Sequence, residues 1–472
     1  MESDTKRQRR QESVVFEYTG NEHAPKNVTH VKFHSSVTEV QDDAFRDCRR
    51  LEDVVFNEGL RKIGAMAFVN CTSFSVINLP STLTDIDDEA FSDCKQLVKV
   101  VINEGLTRIG WRAFEHCTSL TIINIPSTVR EVGDYAFSDC KNLKEVFLNE
   151  GLKTIGFASF VNCTSLEIIN LPSTTEEIGG DAFRDCKKLQ NAVLNEGLQK
   201  IRKSVFQNCK SLSSIALPST VTEIERDAFR SSNLREVVLN EGLKTIGQAA
   251  FAFCRSLECI NFPSTLAEVA TEAFYACEKL REVVFNEGIK KIGDWAFGAC
   301  SSLQNIKIPT TIKEICADAF TACSNLREVS LHEGIQNIKR GAFEECTTLE
   351  SFKFPSLSTR LEAIIHAGQT EIENKVNNVT RGMVEYRDGE ILVPVSEMGE
   401  RNAQSNWNAI KEILDRIVGL ISYYELKEAT TIFELAMWKA KIDHAGDNPV
   451  DREACRIDVP GPVKDAILQY LM

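Results

Sequence analysis

From residue 28 to residue 355 apolar and polar positions alternate on a fixed beat. Leu97–Cys140 shows it, reading LVKVVINEGLTRIGWRAFEHC and then TSLTIINIPSTVREVGDYAFSDC. Each unit runs Leu-x-x-Val/Ile-x-Leu/Phe, a turn, Leu/Val-x-x-Ile, then Ala-Phe-x-x-Cys. The alternating part predicts a short strand with every second side chain inward. The turn is Asn-Glu-Gly or Pro-Ser-Thr. Gly accepts φ > 0 and Pro cannot donate to a ladder, so both end the strand. The Ile…Ala-Phe spacing predicts a helical or 3₁₀ turn on the other side of the unit.

The phenylalanine of the unit recurs fourteen times from Phe45 to Phe343, 23 residues apart except for one step of 22 after Phe229. At the short step RSSNL replaces the usual RDCxxL and Ser232 stands where cysteine is expected. A deletion tolerated there marks a loop. One unit cannot repay the entropy of ordering itself, so the units must stack and fold as an array.

The pattern resembles the BspA-like leucine-rich repeats, whose consensus is LxxLxLPxxLxxIGxxAFxxC, over residues 28–355. The resemblance implies an α/β repeat solenoid, a curved leucine-rich-repeat array of fourteen coils with a parallel sheet along one face. It also implies a role in binding other macromolecules. The bacterial surface-antigen members are exported, whereas MESDTKRQRRQESVVFEY has no apolar core of signal-peptide length. The expectation is therefore an intracellular protein, cytoplasmic or, if Lys6–Arg10 (KRQRR) is a targeting signal, nuclear.

The full period is 46 residues, because Asn-Glu-Gly coils alternate with Pro-Ser-Thr coils. The residue before the turn's Ile/Val alternates too: Glu39, Lys62, Asp85, Arg108, Glu131, Thr154, Glu177, Lys200, Glu223. Identical charges stacked roughly 4.8 Å apart would repel. The alternation predicts register and solubility rather than chemistry.

Outward strand positions face the sheet surface, the binding face in such arrays. In Asn-Glu-Gly coils the middle outward residue is Val55, Val101, Phe147 or Val193. In Pro-Ser-Thr coils Asn124 and Asn170 take that place, preceded by the outward Val76, Ile122 and Ile168. These nine residues are the expected partner-binding strip, with a protein as the partner. Toward the C-terminus the strip turns polar and then basic, with Lys307 and Lys353. β-branched residues also simply suit strands, which is the competing account.

Composition narrows the function. The 472 residues are 43% hydrophobic and 26% charged, and no run of eighteen apolar residues suggests a membrane span. A net charge of −14 gives no electrostatic footprint for nucleic acid or an anionic membrane. Thirteen of the sixteen cysteines occupy one repeat position, with no CxxC pair, so zinc has no support. They read as small buried apolar residues and free thiols in a reducing compartment. The seven histidines are scattered, and no P-loop, G-x-G-x-x-G, G-x-S-x-G or H-E-x-x-H occurs. No catalytic residue, metal or cofactor is therefore expected, and the chain reads as a non-enzymatic interaction scaffold.

The ends differ from the array. Residues 1–27 hold a tail and a cap over the first coil, and residues 356–472 form a small, mainly helical module. There, Leu361–Asn378 has helical spacing, Asp388-Gly389 centres a hairpin, and Met398–Ser405 reads as a linker. One helix is expected over Trp407–Ile421 and a second over Tyr424–Ile442, then a loop over Asp451–Pro462 and a last helix over Val463–Leu471. Such a module can cap the array, join two copies into a homo-oligomer or recruit a further partner. The alternative functions are a BspA-like cell-surface adhesin, or an enzymatic or recruitment activity in this module.

Overall fold

The computed structural model describes residues 13–366, 371–380, 384–387, 389–394 and 403–444. Each coil contributes a strand of three or four residues, such as Lys99–Val101 or Ile122–Ile125, to a parallel sheet. Six such strands, Val76–Asn78 through Asn191–Val193, hydrogen-bond in one continuous run. Their middle residues Ile77, Val100, Ile123, Val146, Ile169 and Ala192 point into the core, as the alternation requires.

A second parallel sheet is built from two-residue strands just after the turn, from Glu39–Val40 to Glu177–Ile178 and from Lys200–Ile201 to Asn337–Ile338. The alternating charges stand in this sheet: Glu39 pairs with Lys62, Lys62 with Asp85 and Arg108 with Glu131. Lys62 lies 3.3 Å from Glu39, Lys200 2.7 Å from Glu223 and Lys291 3.5 Å from Glu268.

The third side of the coil departs from the expected helical turn. No coil contains a helix. The Ala-Phe-x-x-Cys segment is a run of turns whose amides bond the next coil: Asp43 N, Phe45 N and Asp47 N donate to the carbonyls of Ala65, Ala67 and Val69 at 3.0, 2.8 and 2.8 Å. The chain bends between these bonds at left-handed residues, Tyr135 (φ 56°) and Asp139 (φ 57°) in the fifth coil. Asp and Asn recur at the second of these sites because their short polar side chains tolerate that region. A helix would use up these amides within one coil. The ladder instead joins each coil to the next.

Two further columns run through the core. The fourteen phenylalanines stack without a break from Phe45 to Phe343, with ring centroids 4.9 Å apart between Phe45 and Phe68 and 5.7 Å between Phe183 and Phe206. Beside them run the cysteines. All fifteen cysteines among the described residues are free thiols. The ladder thiols are more than apolar filler, because each from Cys71 onward donates to a phenylalanine carbonyl of the preceding coil: Cys71 Sγ to Phe45 O at 3.1 Å and Cys140 Sγ to Phe114 O at 3.2 Å, while Cys48 of the first coil reaches Pro25 O. At the short coil Ser232 Oγ instead donates within its own coil, to Phe229 O at 2.7 Å, the carbonyl that Cys254 Sγ of the next coil also meets at 3.2 Å.

The turns lock coils together in pairs. The glutamate of each Asn-Glu-Gly turn accepts from the Pro-Ser-Thr turn of the next coil: Glu150 takes Ser173 N at 3.1 Å and Ser173 Oγ at 2.8 Å, and Glu196 takes Ser219 N and Oγ at 3.0 and 2.9 Å. The asparagine reaches the other way, Asn103 Nδ2 to Leu79 O and Asn149 Nδ2 to Ile125 O, both at 2.8 Å. The glycine gives the turn its left-handed bend, with φ 126° at Gly105 and 117° at Gly151.

Both ends are closed. Val15–Tyr18 adds a parallel strand beside His30–Phe33 and buries Tyr18 in the first coil. At the other end, among the described residues, three helices follow, α1 (Pro355–His366), α2 (Glu371–Thr380) and α3 (Ala403–His444). Pro355 suits the first helical position, where its missing N–H costs nothing. The hairpin strands Glu385–Arg387 and Glu390–Pro394 pair antiparallel, and the second also pairs with Ser351–Lys353, so the hairpin extends the array's sheet.

The two expected long helices are one. α3 runs 42 residues through the Ser422-Tyr423-Tyr424 junction, where nothing breaks a helix. Helix also begins at Ala403, inside the segment read as a linker. Trp407, Ile410, Leu414, Ile417, Ile421 and Tyr424 are buried, and Arg360 grips Glu425 through two bonds of 2.9 Å. The expected loop over residues 451–462 and helix over residues 463–471 lie outside the described residues, as does Lys6–Arg10.

Candidate binding face

Of the nine expected contact residues, Val55, Val76, Ile122, Asn124, Phe147, Ile168, Asn170 and Val193 are exposed on the sheet face. Val101 is half-buried. Phe147 keeps 51% of its surface in water and Ile168 48%, high values for apolar residues on an otherwise polar chain.

The strand register shows how they lie. Ile122 stands between Lys99 and Glu145, while Asn124 stands beside Phe147 and Asn170 beside Val193. The sheet surface therefore has two columns. One holds Val76, Lys99, Ile122, Glu145, Ile168 and Asn191, and the other Asn78, Val101, Asn124, Phe147, Asn170 and Val193. Apolar residues alternate with polar ones in each column, and the columns are out of phase. The expected straight strip is a zigzag, Val76–Val101–Ile122–Phe147–Ile168–Val193, whose successive members are diagonal neighbours roughly 7–8 Å apart. The same 46-residue period that alternates the coils produces it.

The zigzag stops where its first column turns polar, at Ser214, Cys259 and Asn305. The second column stays apolar at Val238 and Val284, both exposed. Cys259 is the exposed thiol among the described cysteines. Burial of its sulfur and the carboxylates of Glu236, Glu282 and Glu258 hold its pKa above the ordinary thiol value, so the thiolate is disfavoured. The ladder thiols from Cys48 to Cys323 are held up by burial, Cys254 and Cys300 to about 12, whereas the hydrogen bond with Cys323 lowers that of Cys346. Among the described residues no group of three or more His, Cys, Asp and Glu could hold a metal ion. No helix there is long and apolar enough to cross a membrane.

A second set of exposed apolar residues went unread in the sequence. Trp111, Phe157 and Trp295 lie on the Ala-Phe side, with 36%, 40% and 40% of their surface exposed. Their signal was a bulky aromatic within two residues of the Ile-Gly pair, where most other coils carry small or polar residues.

The family model for the BspA type leucine-rich repeat region, built of six copies, matches residues 21–144, 131–258 and 244–373. A leucine-rich repeat protein from Bacteroides ovatus is 27% identical over 72% of this chain and 86% of its own, with a TM-score of 0.63. A leucine-rich cell-surface protein from Faecalibacterium prausnitzii is 24% identical over 72% of this chain and 89% of its own, with a TM-score of 0.38. The pneumococcal vaccine antigen PcpA is 23% identical over 71% and 80%, with a TM-score of 0.43. No curated protein matches the chain.

Proposed function

We propose that this chain, which belongs to the BspA-type leucine-rich repeat family, is a non-catalytic scaffold that holds a protein partner on its sheet face. The observation that supports this reading is the exposed zigzag from Val76 to Val193. Its apolar side chains are not required by the core, which the inward residues already fill. The alternating polar neighbours supply hydrogen-bonding and charged groups between the apolar knobs, as a non-obligate interface needs.

Replacing Ile122 and Phe147 together by Glu tests it. Both side chains are exposed, so the melting temperature should stay within a few degrees of wild type. Affinity for a partner identified by capture on the full chain, then purified, should fall at least about tenfold. Equal affinity of the double variant would refute the sheet-face reading.

We assign the protein to a reducing compartment on the thiols: fifteen free cysteines, one of them exposed on the proposed binding face, suit a cytoplasmic or nuclear setting. Its recovery from the surface of intact cells would favour the adhesin reading instead. The C-terminal module covers the last coil with the first half of α3, whose residues Trp407 to Tyr424 carry a buried stripe, and the helix continues to His444. That length supports a second copy of the chain, or a further partner, on the distal half. Sedimentation of the full chain against a chain ending at residue 426 separates the two.

A further inference from the structure

The aromatic residues on the Ala-Phe side occur in two groups, built on different coil positions. In the first, the Arg112 guanidinium lies 4.3 Å from the Trp111 ring centre and 5.2 Å from that of Tyr135, and Tyr135 meets Phe157 edge-on at 5.5 Å. In the second, Arg230 lies 4.7 Å over Phe253, Phe253 meets Tyr275 at 5.4 Å and Tyr275 meets Trp295 at 6.0 Å. Each group is three rings on three consecutive coils with one arginine. A device serving only to stack coils would recur in every coil, as the phenylalanine column does. Tyr135 and Trp295 also hold left-handed backbone (φ 56° and 58°), which bulky residues rarely adopt.

We propose that the first group is a second binding site, separate from the sheet face, for a proline-rich segment in the polyproline II conformation that carries basic residues. Spacing is the first argument. Trp111 and Phe157 hold the same coil position, each directly after the Ile-Gly pair. Their amides are anchored alike, Trp111 N on Asp88 Oδ1 at 2.9 Å and Phe157 N on Asp134 Oδ1 at 2.6 Å. The two rings therefore start from backbone points two coil steps apart, about 9.6 Å. Polyproline II rises about 9.3 Å per three-residue turn, so prolines three apart meet both rings in register. Exposed aromatic rings are what such segments dock against.

Shape and charge agree. Gly180 follows Phe157 in the same column, and a Cβ there would touch the Phe157 ring at 3.5 Å, so glycine leaves that side of the ring uncovered. Beside the rings stand Asp88 and Asp134, with Glu89 on the adjoining column, against the cations Arg108 and Arg112, the second of which is already paired with the mostly buried Glu115 at 3.5 Å. Three carboxylates against Arg108 and an Arg112 already neutralised by Glu115 leave a negative rim that attracts a basic segment and repels a polyanion. A neutral oligosaccharide would have to be read through its hydroxyls. One oxygen of Asp88 and one of Asp134 are already committed to backbone amides.

Calorimetric titration of the full chain with a short synthetic peptide, prolines at every third position and arginine at each end, tests the site. The peptide should bind, and Trp111→Ala and Phe157→Ala should each weaken it about tenfold. Trp111→Phe should keep most of the affinity, which separates a lost ring from lost folding. Ile122→Glu on the sheet face should leave it unchanged. The proposal fails if the peptide does not bind or if a scrambled peptide of equal composition binds as well. It also fails if both alanine variants bind like wild type, or if cellohexaose competes for Trp111 better than the peptide.

Discussion

Alkali should unfold this array through its buried thiols. Burial holds twelve ladder thiols, Cys48 through Cys323, above the ordinary value, Cys48 at about 11 and Cys254 and Cys300 at about 12. A thiol raised in the folded state stays protonated there while the unfolded chain releases its proton. Its contribution is complete below about pH 9 and is lost as pH rises from there toward 11–12. One pH unit above the unfolded value, each such thiol removes about 1.4 kcal/mol of stability. Half of the twelve would already remove about 8 kcal/mol, comparable with the whole stability of an ordinary domain. The assay is urea unfolding followed by far-ultraviolet circular dichroism in reducing buffer between about pH 8 and pH 10, whose slope gives the protons released on unfolding. Replacing Cys117, Cys140, Cys163 and Cys186 by Ser, the residue that position 232 already carries, should lower that slope by up to about four protons. Lysine and tyrosine titrate in the same range and are untouched by these changes. An unchanged slope in the fourfold variant would refute the thiol argument.

Two further outcomes follow from the same coils. Phe137→Ala removes a fully buried ring stacked at 5.3 Å on both Phe114 and Phe160, and should cost about 3–5 kcal/mol by chemical denaturation; a loss under about 1 kcal/mol would show that the stack is not a continuous core. Cys140→Ala should be less stable than Cys140→Ser if the thiol's bond to Phe114 O matters, whereas a merely apolar plug would reverse that order because an unpaired buried hydroxyl is costly.

The inward residues were legible because burial repeats them: Phe, Cys, Leu and Ile return every 23 residues, and the strand alternation follows. The third side of the coil was not. A helical turn and a left-handed bend both place apolar residues three or four apart, so Ile…Ala-Phe spacing suits either. What distinguishes them is the run of Asp and Asn before cysteine, at Asp47, Asn70, Asp93, Asp139 and Asn162, each with positive φ. The zigzag was hidden for a different reason. Alternation assigns a residue to a face, but which residues neighbour one another there depends on register between strands. Tyr424 and its neighbours read as a break between two helices because the apolar stripe shifts there. Helix α3 runs through, with Tyr424 still buried and Lys375 Nζ on its hydroxyl at 2.7 Å.

The 46-residue period has a cause beyond charge alternation. Exposed ion pairs such as Lys62–Glu39 contribute little each. The glutamate of an Asn-Glu-Gly turn, by contrast, caps a backbone amide and a hydroxyl of the following Pro-Ser-Thr turn, and those bonds hold the carboxyl of Glu150 and of Glu196 below the ordinary range. The clasp works in one order only. A Pro-Ser-Thr turn has no carboxylate to give, and an Asn-Glu-Gly turn has no serine to receive one. The carboxylate of each Asn-Glu-Gly coil thereby clasps only the coil that follows it, and the unit that evolution can duplicate is the pair. Equivalent positions of like coils then lie two coil steps apart, about 9.6 Å, whatever side chains occupy them. The sheet face and the aromatic side inherit the same ruler. The zigzag knobs Val76, Ile122 and Ile168 and the rings Trp111 and Phe157 are spaced alike because the clasp sets the pair.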